Sequence, residues 1–179
     1  NGVDRTRFSP DLFSYDQIRD KMEISKETRV IAVMGKVSPL KGQRELIRAI
    51  PGILSRHPNC LFLLAGDTKE HRPYFQEVTA LSAELGVAEK IRFLGECENV
   101  PEILAASDLF VMPSYEENFG NVLLEALMMG KPCIATNSGG TPDILNGGEC
   151  GLLVEPRSPE ALQDGINRLL DDRPFRSKL

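Results

Sequence analysis

The chain has 179 residues and carries 21 Lys and Arg against 26 Asp and Glu, a formal net charge of −5. That mild acidity argues against a surface built to coat nucleic acid, and no apolar run approaches the roughly 20 residues that a membrane-spanning helix needs. With 41% hydrophobic and 26% charged residues, the length suits one domain with a proper core plus an appendage. Residues 1–25 read as a linker and short helix leading into a domain over 26–179. Asn1-Gly2 and Ser9-Pro10-Asp11 carry turn chemistry. Ser14 with Gln17 three residues on is a capping-box pattern, opening a helix through Ile18 and Met22.

From there the pattern alternates. Apolar runs of strand length recur at VIAVM (30–34), CLFLLA (60–65), KIRFL (90–94), DLFVM (108–112), PCIAT (132–136) and GLLV (151–154). Helical periods lie between them: Leu46, Ile47, Ile50 and Leu54; Phe75, Val78, Leu81 and Leu85; Leu162, Ile166, Leu169 and Leu170. Strands apolar throughout, alternating with amphipathic helices, predict a parallel sheet of about six strands covered on both faces. This is the doubly wound, Rossmann-like α/β class. Pro51 falls inside the first long helix and predicts a kink or break there.

The four cysteines, Cys60, Cys97, Cys133 and Cys150, are widely spaced with no CxxC pair, which fits buried free thiols in a reducing compartment. His57 and His71 are the only histidines, which argues against zinc chemistry. The abrupt start at NGVDRTRFSP and the stop at RPFRSKL read as an excised piece of a longer protein.

In an open parallel sheet, ligands bind where the loops leave the carboxyl ends of the strands. Those loops are GKVSPLKG (35–42), GDTKEHRP (66–73), GECENVP (95–101), PSYEENFG (113–120) and TNSGGTP (136–142). The first places Lys36 just past a strand and Lys41-Gly42 at a helix start. A cation opposes the helix dipole there by roughly 0.3–1 kcal/mol, unless an anion joins it; a solvated lysine fits equally well. The fourth loop leads into a helix opened by Gly120, with Leu123, Leu124, Leu127 and Met128 on its expected core face. Free N–H groups from Gly120 through Asn121 to Val122 make an anion site, and Gly120 admits a close ligand. Glu117 and Glu125, eight residues apart, would repel a phosphate and serve better as acceptors for sugar hydroxyls. They also fit an ordinary helix start and a solvated helix face. Ser138-Gly139-Gly140-Thr141 offers a second loop with free backbone donors, or a simple turn.

Glu117-Asn118-Phe119-Gly120 followed by Glu125-Ala126 resembles the Glu-x7-Glu motif of retaining glycosyltransferases of family four, which have the two-domain GT-B architecture. NGVD with Phe8 and Pro10, VMGKVSPLKG, FLGECENVPEILAASDLFVMPS and GKPCIATNSGGTPDILNGGECGLLVEP resemble the surrounding segments in order and spacing. The resemblance implies the C-terminal, donor-binding half of such an enzyme, without its N-terminal domain. It implies that Lys36 and Lys41 contact the diphosphate and that the main chain from Phe119 to Val122 also holds phosphate. Glu125 would bind ribose and Glu117 the transferred sugar, with the base near Leu94, Gly95 and Val100. Lys36, Lys41 and Glu117 are thereby the expected catalytic residues.

The implied reaction moves a hexosyl unit from a nucleotide-sugar, a UDP-sugar first among candidates, to a saccharide or lipid-linked acceptor on the other domain. It needs neither metal nor cofactor. The expected location is the cytoplasm, with the full-length protein at or near a membrane surface. A nucleotide-sugar epimerase of the same architecture and a non-catalytic nucleotide-binding module are the alternatives. Lys36 stands where Arg is common, Asp143 replaces a usual Glu, and Asp67-Thr68-Lys69 replaces a Gly-containing turn.

Overall fold

The computed structural model describes residues 4, 6–117 and 120–176. Six strands, β1 (Arg29–Met34), β2 (Cys60–Ala65), β3 (Ile91–Gly95), β4 (Leu109–Met112), β5 (Cys133–Thr136) and β6 (Leu152–Val154), form one sheet in the order β3-β2-β1-β4-β5-β6. All pairings are parallel. The helices are α1 (Tyr15–Lys21), α2 (Gln43–Arg56), α3 (Arg72–Glu84), α4 (Val100–Ala106), α5 (Asn121–Met128), α6 (Thr141–Ile144), α7 (Pro159–Asp171) and α8 (Arg173–Arg176).

Strand side chains alternate between faces, and both faces are covered. Ile31, Val33, Phe62 and Leu64 pack with Leu46 and Ile50 of α2, Val78 of α3 and Ile166 of α7. Val30, Ala32, Met34 and Leu63 pack on the other side with Ile18 of α1, Ile103 and Leu104 of α4 and Leu123 of α5. Each fully buried aliphatic or aromatic side chain contributes roughly 1.5–3 kcal/mol relative to exposure. The double layer follows from central strands buried on both faces, β2 at all six positions and β1 at every position after Arg29.

The lead-in segment is tied to the sheet through a charged side chain. Arg19 of α1 is fully buried; its guanidinium donates to the carbonyls of Ala106 and Thr28 and to Asp108 Oδ2 at 2.7 Å. The same Asp108 oxygen accepts from the Val30 N–H at 2.8 Å, so α1 is joined to the starts of β1 and β4. Ser14 caps α1 by accepting from the Gln17 N–H.

Two expectations change. α2 runs 14 residues through Pro51 without a break, because Leu46, Ile47, Ile50 and Ile53 on both sides of the proline are fully buried against the sheet and α7. The buried face of α5 is Leu123 and Ala126, with Met129 just beyond; Leu124, Leu127 and Met128 are only partly covered.

Candidate functional site

The strand order reverses between β1 and β4, which puts the ligand crevice of this topology outside their carboxyl ends. The β1–α2 loop closes with a 3-10 turn over Pro39–Lys41, and Gly42, at φ 66°, turns the chain into α2. A Cβ on Gly42 would stand 1.9 Å from the carbonyl oxygen of Pro113. The β1–α2 and β4–α5 loops therefore touch backbone to backbone, and only glycine fits. On the far side, Gly139 (φ 55°) is pressed as hard: its Cβ would lie 1.8 Å from the carbonyl oxygen of Glu117. That oxygen accepts from the Gly140 N–H at 3.1 Å.

This crowding brings together side chains 76 positions apart. Lys41 Nζ donates to Glu117 Oε2 at 2.5 Å, and Ser114 Oγ is 3.3 Å from the same oxygen. The lysine and glutamate side chains are only 28% and 15% exposed. Lys36, in contrast, reaches into solvent and meets Glu70 Oε2 at 2.5 Å. The hydrogen bond and charge of Glu70 hold its ammonium above the ordinary range. Both lysines singled out from the sequence therefore have a carboxylate partner, and the two carboxylates differ.

Gly120 caps α5 at φ 65°. Asn121 and Val122 begin the first turn, where helix geometry leaves N–H groups without intrahelical partners. Glu125 is half-buried one turn further on; burial pushes its carboxyl pKa above 4.5, and the Arg7 guanidinium partly opposes that rise. Phe119 lies outside the described residues.

Beside α5, a cavity of about 230 Å³ opens at the ends of β1, β2 and β3, lined by Lys36, Gly66, Cys97, Val100 and Val122 among others. Leu94 and Gly95 do not line it; their carbonyls accept from the thiol of Cys97, which does, at 3.6 and 3.4 Å.

The loop over Ser138–Thr141 corrects its sequence reading. Two of its backbone donors are not free: the Gly140 N–H serves Glu117 and the Thr141 N–H serves Ser138. The loop braces the β4–α5 loop and leaves no donor of Gly140 or Thr141 for a ligand. Sequence reasoning also passed over Glu70, Arg7, Glu45 and Tyr115, whose partners are distant along the chain. Ser114, three residues before Glu117, was legible as a hydroxyl at hydrogen-bonding distance in a tight loop. Among the described residues, no three His, Cys, Asp or Glu side chains gather as metal ligands, and no helix is long and apolar enough to cross a membrane.

Comparison with known proteins follows the same lines. The family model "Glycosyl transferases group 1" matches residues 14–179. A D-inositol 3-phosphate glycosyltransferase of Corynebacterium jeikeium is 33% identical over 98% of this chain, which spans 43% of that relative's length. A crystal structure of Anabaena HepE in complex with UDP and glucose superposes with TM-score 0.90 at 28% identity, over 99% of this chain and 48% of that one. The crystallised C-terminal domain of a Francisella tularensis group 1 glycosyl transferase matches with TM-score 0.85 at 29% identity, over 99% of this chain and 92% of that one. The chain spans about half the length of full-length relatives, and its sheet corresponds to one half of their GT-B fold. It belongs to the group 1 family of glycosyl transferases.

Proposed function

We propose that this chain is the donor-binding half of a retaining glycosyltransferase. It would take a hexosyl unit from a nucleoside diphosphate sugar, with UDP the first candidate, and deliver it to a saccharide or lipid-linked acceptor on a second domain. The domain proper covers 26–179, with 1–25 leading into it. The observation that carries the reading is the Lys41–Glu117 contact beside the start of α5. It sets a cation and a carboxylate one hydrogen bond apart at a helix N-terminus, which suits a diphosphate and a sugar as adjoining ligands. The UDP-and-glucose complex of the Anabaena neighbour supports it.

On this reading the diphosphate takes Lys41 from Glu117 and Lys36 from Glu70, and rests on the main chain from Phe119 to Val122. Glu117, released, accepts hydroxyls of the transferred sugar. Glu125 accepts ribose hydroxyls, and the base lies in the cavity by Leu94, Gly95 and Val100. As the glycosidic bond breaks, charge gathers on the leaving diphosphate, and the two ammonium groups stabilise it there. A phosphate oxygen of the donor helps to deprotonate the acceptor, which attacks from the face the leaving group departs. Four free thiols suit the cytoplasm.

Calorimetric titration with UDP, GDP and their hexose conjugates tests the reading. Lys41→Ala is expected to weaken nucleoside diphosphate binding by about 1.5–3 kcal/mol, the range for hydrogen bonds to charged groups. Unchanged affinity in a folded variant would sink the assignment of Lys41.

A further inference from the structure

Tyr115 lies two residues before Glu117, and four other segments of the carboxyl edge meet at it. Its N–H donates to the carbonyl of Leu40, next to Lys41, at 2.8 Å. Its own carbonyl accepts from Ser138 Oγ at 2.8 Å, and Ser138 adjoins the Gly139 that is wedged against Glu117. Its hydroxyl donates to the Glu45 carboxylate in the first turn of α2. The Arg157 guanidinium, from the loop after β6, lies 4.7 Å over its ring.

Two of these contacts are held at a cost. Arg157 sits at φ 60°, in the left-handed region that side chains disfavour by roughly 1–2 kcal/mol. Glu45 is a carboxylate only 5% exposed, flanked by Arg44 and Arg48, and such a group is stable only while it stays paired and hydrogen-bonded. Burial and the hydrogen bond and charge of Glu45 push the Tyr115 phenol up from its ordinary value, against the neighbouring Arg44 guanidinium.

From this convergence we propose that Tyr115, through its hydrogen bond to Glu45, is a positioning residue: it fixes the Glu117 carboxylate beside Lys41 and thereby sets how strongly the site prefers a nucleoside diphosphate sugar over the bare nucleoside diphosphate. The inference rests on the donor-site reading above. The diphosphate subsite draws on Lys36 and the α5 start as well as Lys41. The sugar subsite depends on Glu117, whose loop Tyr115 holds from both sides. Loosening that loop therefore harms the sugar contacts first.

The experiment compares the wild-type chain with Tyr115→Phe, Glu45→Ala and Glu45→Gln by calorimetry, using UDP with UDP-glucose and GDP with GDP-mannose. Tyr115→Phe keeps the ring under Arg157 and removes only the hydroxyl. It is expected to lower the preference for the sugar conjugate about five- to tenfold while bare-nucleotide affinity stays nearly constant, on the order of one net hydrogen bond. Glu45→Ala should reproduce the loss, the double variant should be no worse than either single one, and Glu45→Gln, which retains an acceptor, should restore the preference. A wild-type preference in Tyr115→Phe, or equal losses for both ligands with a lowered melting temperature, would overturn the proposal.

Amide hydrogen exchange without ligand separates this failure from failure of the donor reading. If no nucleotide binds the wild-type chain, the donor reading falls, and the positioning role is decided by the Gly140 amide that donates to Glu117. Faster exchange there in Tyr115→Phe but not in Glu45→Gln supports it; unchanged exchange in Tyr115→Phe refutes it.

Discussion

Glu125 is a carboxylate pressed halfway into the face of α5, and burial makes its ionisation harder in the folded chain than in the unfolded one. Its contribution to stability is therefore whole below the unfolded value of 4.5 and is lost as pH rises from there through the raised folded value. Glu125→Gln removes that loss, so the melting temperature of the variant relative to wild type should climb between pH 4 and pH 7. A constant difference across that range would show that burial does not govern this group. The same substitution should weaken both bare nucleotide and nucleotide-sugar if Glu125 holds ribose. Lys36, Lys41, Glu117 and Glu125 stand out in the sequence as candidates because they lie in or just after the loops at the carboxyl edge and match the Glu-x7-Glu resemblance. Their partners were not. The Lys41–Glu117 and Lys36–Glu70 contacts join residues 76 and 34 positions apart, and local spacing carries no information about which distant carboxylate folds against which lysine.

At the scale of elements, periodicity sufficed wherever an element was long or fully buried. β2 coincides with its apolar run, and the remaining strands shift by a residue at one end, β3 at both, where hydrogen bonding rather than hydropathy sets the limit. The loop expected over 95–101 takes in only the first two residues of α4, Val100-Pro101, and no helix is expected over the rest. Proline suits a first helical turn, whose N–H has no intrahelical partner to lose, and that is where Pro101 sits. Pro51 is the reverse case. It stands in the interior of α2, where an N–H would normally reach the carbonyl of Ile47, and the helix continues because its flanks are buried. Packing thus overrides a local preference without abolishing its cost. Pro51→Ala restores the missing donor and should stabilise the chain by about 1–3 kcal/mol, read as a melting temperature several degrees higher. An unchanged or lower value would mean that the proline ring fills its site better than the recovered hydrogen bond repays.

For the whole molecule, largely apolar strands alternating with amphipathic helices implied a parallel sheet covered twice, but not the order of its strands. That order, with its reversal between β1 and β4, depends on which crossovers pass over which face, and it locates the crevice. The two layers on either side of the sheet are each complete, so this chain should melt in one cooperative transition. A donor at 100 times its dissociation constant should stabilise it by about 2.7 kcal/mol, or about 5–10 °C. Transfer asks for more than donor binding. Holding acceptor and donor in reactive alignment can supply roughly 7–11 kcal/mol of the barrier, and on the proposed reading the acceptor belongs to a domain beyond these residues, which span 43% of the Corynebacterium relative's length. The carboxyl edge would then lack its opposing wall, and water there would weaken the hold of Lys36 and Lys41 on the leaving diphosphate. Incubating the chain with its best-binding donor and a panel of saccharide and lipid-linked acceptors, with mass spectrometry of the products, checks this. The expected result is a donor-dependent rise in melting temperature and no multiple-turnover glycosylation. Sustained transfer would put an acceptor site within these 179 residues and overturn the division of labour between two domains.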